Sequence, residues 1–141
     1  MKRCTYAQAV AEVSGGEIRG NVWFQQLADS VLVTAQLSGL PRDGFFAFHI
    51  HEGGDCGGVG FSDTGGHFNP AGTAHPDHAG DLPPLLSCRG RAYLSVMTDR
   101  FCVADVLNRT VVIHSGTDDF KTQPAGDPGT KIACGMICTQ W

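Results

Sequence analysis

Phe45-Phe46-Ala47-Phe48-His49-Ile50-His51 (FFAFHIH) is the run that decides the fold of this chain. Aromatic and β-branched residues crowd it, and such a run reads as a strand. Working outward, Val31–Leu37 (VLVTAQL) alternates apolar and polar residues, and a turn at 39–44 containing Pro41 joins it to the first run. Ala7–Val13 and Asn21–Gln26 alternate more loosely, on either side of Ser14-Gly15-Gly16. Four strands spaced about 10–12 residues apart predict an all-β sandwich or barrel.

Beyond His51 the pattern stops. It resumes at Leu85–Ser87, Ala92–Thr98, Thr110–His114 and Lys131–Thr139, with one helical turn expected at Val103–Leu107. The stretch 52–84 is rich in Gly, Asp, His and Pro, and a loop of that length in a compact domain is usually functional or disordered. Ser115–Thr130 is a second long polar loop.

The 141 residues fit a single domain, 1–141, long enough to bury a real core. With 42% hydrophobic and 17% charged residues the chain is globular and not disordered. Its 19 glycines favour β structure, whose turns need positive φ. The net charge of −4, with no run of Lys or Arg, argues against a nucleic-acid partner. No apolar stretch approaches the roughly 20 residues that span a bilayer, so no membrane partner is expected. No apolar segment follows Lys2 and Arg3, so the sequence as given reads as cytoplasmic, or as periplasmic or extracellular if a leader has been removed. Six Cys point toward an oxidising compartment.

The six His carry the chemistry. His49 and His51 stand at i and i+2 on a strand, so both imidazoles leave the same face and can reach one metal. Taken alone, such a pair more often simply faces solvent. His67, His75, His78 and Asp81 follow in the long loop, and three imidazoles with one carboxylate make a tetrahedral zinc set. A bound metal would rigidify a loop whose ordering costs about 1–2 kcal/mol per residue. Each of these His alone could be a surface residue of a polar loop. His114 ends an apolar strand, where a lone His is usually structural. Together with His49, His51 and one loop His it completes a four-nitrogen set, and tetragonal nitrogen suits copper.

Phe48-His49-Ile50-His51-Glu52, Gly66-His67-Phe68-Asn69-Pro70 and His78-Ala79-Gly80-Asp81-Leu82-Pro83 resemble the copper–zinc superoxide dismutase family, its bacterial members in particular. So do Thr110-Val111-Val112-Ile113-His114 and Gly129-Thr130-Lys131-Ile132-Ala133-Cys134-Gly135. The motifs fall in family order between about residue 44 and residue 137. The resemblance implies a flattened eight-stranded Greek-key barrel of immunoglobulin-like sandwich architecture. It implies copper on His49, His51, His67 and His114, and zinc on His67, His75, His78 and Asp81, with His67 shared. It places Asp118 behind the ligands, bonded to the free nitrogens of His49 and His75. It implies a disulfide between Cys56 and Cys134, adding about 4–5 kcal/mol on the chain-entropy picture. Cys4, Cys88, Cys102 and Cys138 take no family role; if the first and last strands pair, Cys4 and Cys138 approach each other.

The implied reaction is disproportionation of superoxide to O2 and H2O2 by Cu(II)/Cu(I) cycling, with His67 as a proton carrier. The substrate is an anion and the protein is net negative, so local positive charge must focus it. Where the family usually has Arg, this chain has Lys131, which keeps the charge but loses the planar fork of donors. Ala125 stands where many members place a channel-mouth Thr, and the two loops are short. A homodimer through barrel faces and the segment 53–58 is implied, with a monomer as the alternative. The competing readings are a non-catalytic copper- and zinc-binding module on the same barrel, and an immunoglobulin-like interaction domain without metals.

Overall fold

The computed structural model of the chain describes residues 4–140. Nine strands follow in chain order: β1 (Gln8–Gly15), β2 (Ile18–Gln26), β3 (Val31–Ser38), β4 (Gly44–Phe46), β5 (Phe48–His51), β6 (Leu85–Ser87), β7 (Ala92–Thr98), β8 (Thr110–His114) and β9 (Lys131–Thr139). A helical turn, α1 (Val103–Val106), stands at the expected place. The long loop carries a 3-10 segment at Val59–Thr64.

Seven strands form one antiparallel sheet in the order β5-β8-β9-β1-β2-β3-β7, and β4 pairs with β6 in a second ladder. β4 and β5 are successive halves of one bent run, and β6 turns into β7 through the bridge between Cys88 and Arg91. The two ladders therefore close on each other as a flattened barrel. The expected run Phe45–His51 is broken at Ala47, which gives nine strands where eight were expected. Ala47 leaves the ladder because its N–H bonds Gly116 O at 2.8 Å and its carbonyl accepts from His114 N at 3.0 Å. The first hairpin turn also lies later than expected, at Gly16-Glu17: Ser14 and Gly15 still pair with Arg19 and Ile18, and Gly16 takes the left-handed conformation (φ 54°).

Alternation places the core. Ala9, Ala11 and Val13 of β1, Val22 and Phe24 of β2, and Val31, Val33, Ala35 and Leu37 of β3 all face inward. They meet Phe46, Phe48, Ile50, Val111, Ile113, Ala133 and Ile137 from the other side. Each large side chain buried in this way contributes about 1.5–3 kcal/mol. In β5 and β8 every residue is buried, because the long loop covers their outer face. Phe48 and Ile50 of β5 enter the core, so His49 and His51 must point the other way, under that loop.

Two disulfides tie the barrel. Cys56–Cys134 joins the long loop to β9 across 78 residues. Cys4 bonds Cys102, just before α1, and not Cys138. The first and last strands do pair, but Cys138 lies opposite Val10, well inside the ladder, whereas Cys4 precedes β1. Cys88 and Cys138 are free and exposed.

Candidate metal centre

The long loop is stitched to β5 at one residue. Ile50 N donates to Gly80 O at 2.8 Å, Phe68 N donates to Ile50 O at 2.9 Å, and Gly80 N donates to Phe68 O at 2.9 Å. This brings His67 beside His51 and Asp81 beside His49. Gly80 is required here, since a Cβ would stand 2.4 Å from Ile50 O. His114 arrives from the end of β8, where a register shift after Ile113 turns it toward β5.

Side-chain nitrogens of His49, His51, His67 and His114 all lie within 4.8 Å of one another, as do the donor atoms of His67, His75, His78 and Asp81. His67 belongs to both groups. In the first, His114 Nε2 stands 3.2 Å from His49 Nδ1 and 3.2 Å from His51 Nε2. In the second, His67 Nδ1 lies 2.8 Å from Asp81 Oδ1 and 3.2 Å from His78 Nδ1. His75 Nδ1 is 3.0 Å from Asp81 Oδ2, and His78 Nδ1 is 3.2 Å from the same oxygen.

The far nitrogens are fixed by backbone and carboxylate partners, which sets how each ring presents itself. Asp118 accepts from His49 Nε2 at 2.8 Å and from His75 Nε2 at 2.7 Å. His51 Nδ1 is 2.8 Å from Gly65 O. These bonds leave His49 Nδ1, His51 Nε2 and His75 Nδ1 to face the shared centres.

The donor set fits two metal ions. Nitrogens opposed at 3.2 Å need a proton or a cation between them. Extra protons that would charge these rings are disfavoured: burial, then the charge of His67, would hold His49 at a pKa of about 2. Burial outweighs the bond to Gly65 in taking His51 to about 2, and burial with His49 takes His114 to about 3. Burial alone would raise Asp81, but its bond from His67 and the nearby imidazoles bring it below the usual carboxylate range. His67 Nε2 is buried without a hydrogen-bond partner, and His75 Nδ1 meets Asp81 Oδ2 at 3.0 Å outside hydrogen-bond geometry. Neutral imidazoles with free lone pairs, buried and converging, are what a metal requires.

A cavity of about 360 Å3 opens on the first group, lined by His51, His67 and His114 together with Pro124, Ala125 and Lys131. Lys131 Nζ stands 2.9 Å from Gly65 O at its wall, and burial lowers its pKa.

Several positioning residues carried no sequence signal. Gln123 accepts from His75 N at 2.9 Å and donates to His75 O at 2.7 Å, clasping that residue's backbone. Arg100 Nη1 donates to Pro76 O at 2.9 Å and His78 O at 3.1 Å, holding the same loop from outside. Gly126 packs against the carboxylate: at φ 81°, a Cβ there would lie 2.1 Å from Asp118 Oδ1.

A model of the family described as copper/zinc superoxide dismutase matches residues 18–137. A copper–zinc superoxide dismutase of Aquifex aeolicus is 36% identical over 137 residues, covering 86% of this chain and 80% of its own. One from Legionella pneumophila is 36% identical over 126 residues, covering 84% and 76%. The crystal structure of the clock protein EA4 superposes with a TM-score of 0.86 at 32% identity, covering 99% of each chain.

Proposed function

This chain belongs to the copper/zinc superoxide dismutase family, and on that premise we propose that His49, His51, His67 and His114 hold copper while His67, His75, His78 and Asp81 hold zinc. The protein is an oxidoreductase that converts two superoxide ions and two protons to O2 and H2O2. Bound there, copper supplies the one-electron redox chemistry and zinc a fixed positive charge.

The observation that carries this reading is His67, which offers Nδ1 to one buried group and Nε2 to the other. Nε2 of His67 has no protein partner, so it can hold the proton that the peroxide product needs. Asp118 keeps His49 and His75 in one tautomer and orientation. Lys131 supplies positive charge at the cavity wall of a protein whose net charge is −4, and so draws the anionic substrate. The site occupies one domain, 1–141, whose Cys56–Cys134 bridge fixes the loop against the barrel.

The same reading extends to setting and assembly. Two disulfides favour a periplasmic or extracellular compartment over reducing cytoplasm. A homodimer through barrel faces and the segment 53–58 is part of the same proposal, with a monomer as its alternative.

Sharing of His67 is testable by electron paramagnetic resonance. With cobalt(II) in the zinc site, an imidazolate common to both metals couples their spins, and the Cu(II) signal is expected to vanish. Two independent, additive spectra would contradict a shared His67.

A further inference from the structure

Lys131 is the only Lys or Arg among the described residues that line the cavity over the copper histidines. A lysine ammonium is a compact charge on a flexible stem, and left free it has no fixed position. Here it is held. Nζ donates to Thr64 Oγ1 at 2.7 Å and to Gly65 O at 2.9 Å. Thr64 Oγ1 directs its own proton to Phe61 O at 2.8 Å. A hydroxyl has one donor and two lone pairs, so Thr64 can only accept from Lys131. Thr64 is 0% exposed, and water does not compete at that oxygen. Phe61, whose carbonyl completes the chain of bonds, sits at φ 61°, a conformation costly for a residue with a side chain. Two of the three ammonium donors are engaged, leaving one for the cavity. Gly65 O also accepts from His51 Nδ1 at 2.8 Å, so the lysine and a copper histidine share one carbonyl.

We propose that Thr64 is a positioning residue for Lys131: its buried hydroxyl fixes where the positive charge stands over the copper histidines, and so sets how strongly the site draws small anions. The inference rests on Lys131 being the charge that draws superoxide.

Thr64→Val keeps the shape and removes the acceptor. Loaded with copper and zinc, it is expected to lose about threefold to tenfold in kcat/KM at low ionic strength, with a shallower salt dependence, because steering charge acts on encounter and is screened. Thr64→Ser restores both. Independently of activity, 15N spectra of zinc-loaded, copper-free protein should show a slowly exchanging Lys131 ammonium in wild type and Thr64→Ser, lost in Thr64→Val. If Thr64→Val does not retain both metals, Thr64→Ala removes the hydroxyl without bulk and carries the same comparison. Lys131→Met separates the two ideas. If it leaves kcat/KM unchanged, the reading of Lys131 fails and the role of Thr64 with it. If it slows the enzyme while the Thr64 variants match wild type in rate and ammonium signal, only the role of Thr64 is overturned.

Discussion

Asp118 accepts a hydrogen bond from His49 Nε2 at 2.8 Å, and its other oxygen accepts one from His75 Nε2 at 2.7 Å. One carboxylate thus steers a ring of each metal set. Asp118→Asn keeps the shape and loses the charge. It is expected to weaken zinc and copper retention by about 10–100-fold, the usual cost of losing such a partner. Competition against a chelator measures this; unchanged affinity for both metals would contradict the role.

Gly126 lies against that same carboxylate. Gly126→Ala places a methyl within 2.1 Å of Asp118 Oδ1 and strains a backbone at φ 81°. A loss of about 1–3 kcal/mol in unfolding free energy is expected, with faster zinc release. Chemical denaturation and metal-release kinetics check both, and wild-type behaviour in each would mean that the second loop yields freely here.

The disulfide Cys56–Cys134 closes a separation of 78 residues. Replacing both cysteines by Ser is expected to cost about 2–5 kcal/mol of stability, read from urea unfolding with both metals bound. A change below about 1 kcal/mol would show that the metals alone hold the loop.

Metal-free protein should weaken in acid. Burial holds His49 and His51 at about 2 and His114 at about 3, against an ordinary value of 6.5. Below pH 6.5 the unfolded chain binds protons that the folded chain refuses, so stability falls with pH down toward those folded values. Urea midpoints of metal-free protein between pH 7.5 and 4.5 should decline steadily with acid. A flat profile would contradict the burial of these rings.

Lys131→Arg is expected to raise kcat/KM, because the guanidinium presents a planar fork of donors where the ammonium presents a point charge. Stopped-flow superoxide consumption tests this, and an unchanged or lower value would contradict it.

Part of the candidate donor set was legible in the sequence because strand geometry is periodic. His49 and His51 at i and i+2 must share a face, and Phe48 and Ile50 between and before them must take the core. His67, His75, His78 and Asp81 were legible as a zinc-type donor set, but which loop histidine joins the strand histidines needed the family resemblance, since no periodicity says where a loop of this length folds back. Nothing local marks the break at Ala47, because its bonds come from Gly116 in the second loop and His114 at the end of β8. Strand adjacency alone suggested an approach of Cys4 to Cys138, whereas Cys4 bonds Cys102, just before α1. Thr64, Gln123 and Arg100 act through long-range contacts to backbone carbonyls and hydroxyls, and such contacts leave no pattern in sequence spacing.

Metal content and superoxide consumption, measured together on protein loaded with copper and zinc, test most directly whether this site is a working dismutase. One copper and one zinc per chain are expected, with activity lost when copper alone is removed and regained when it is returned. Zinc bound without copper, or both metals bound with no consumption of superoxide, would contradict that reading.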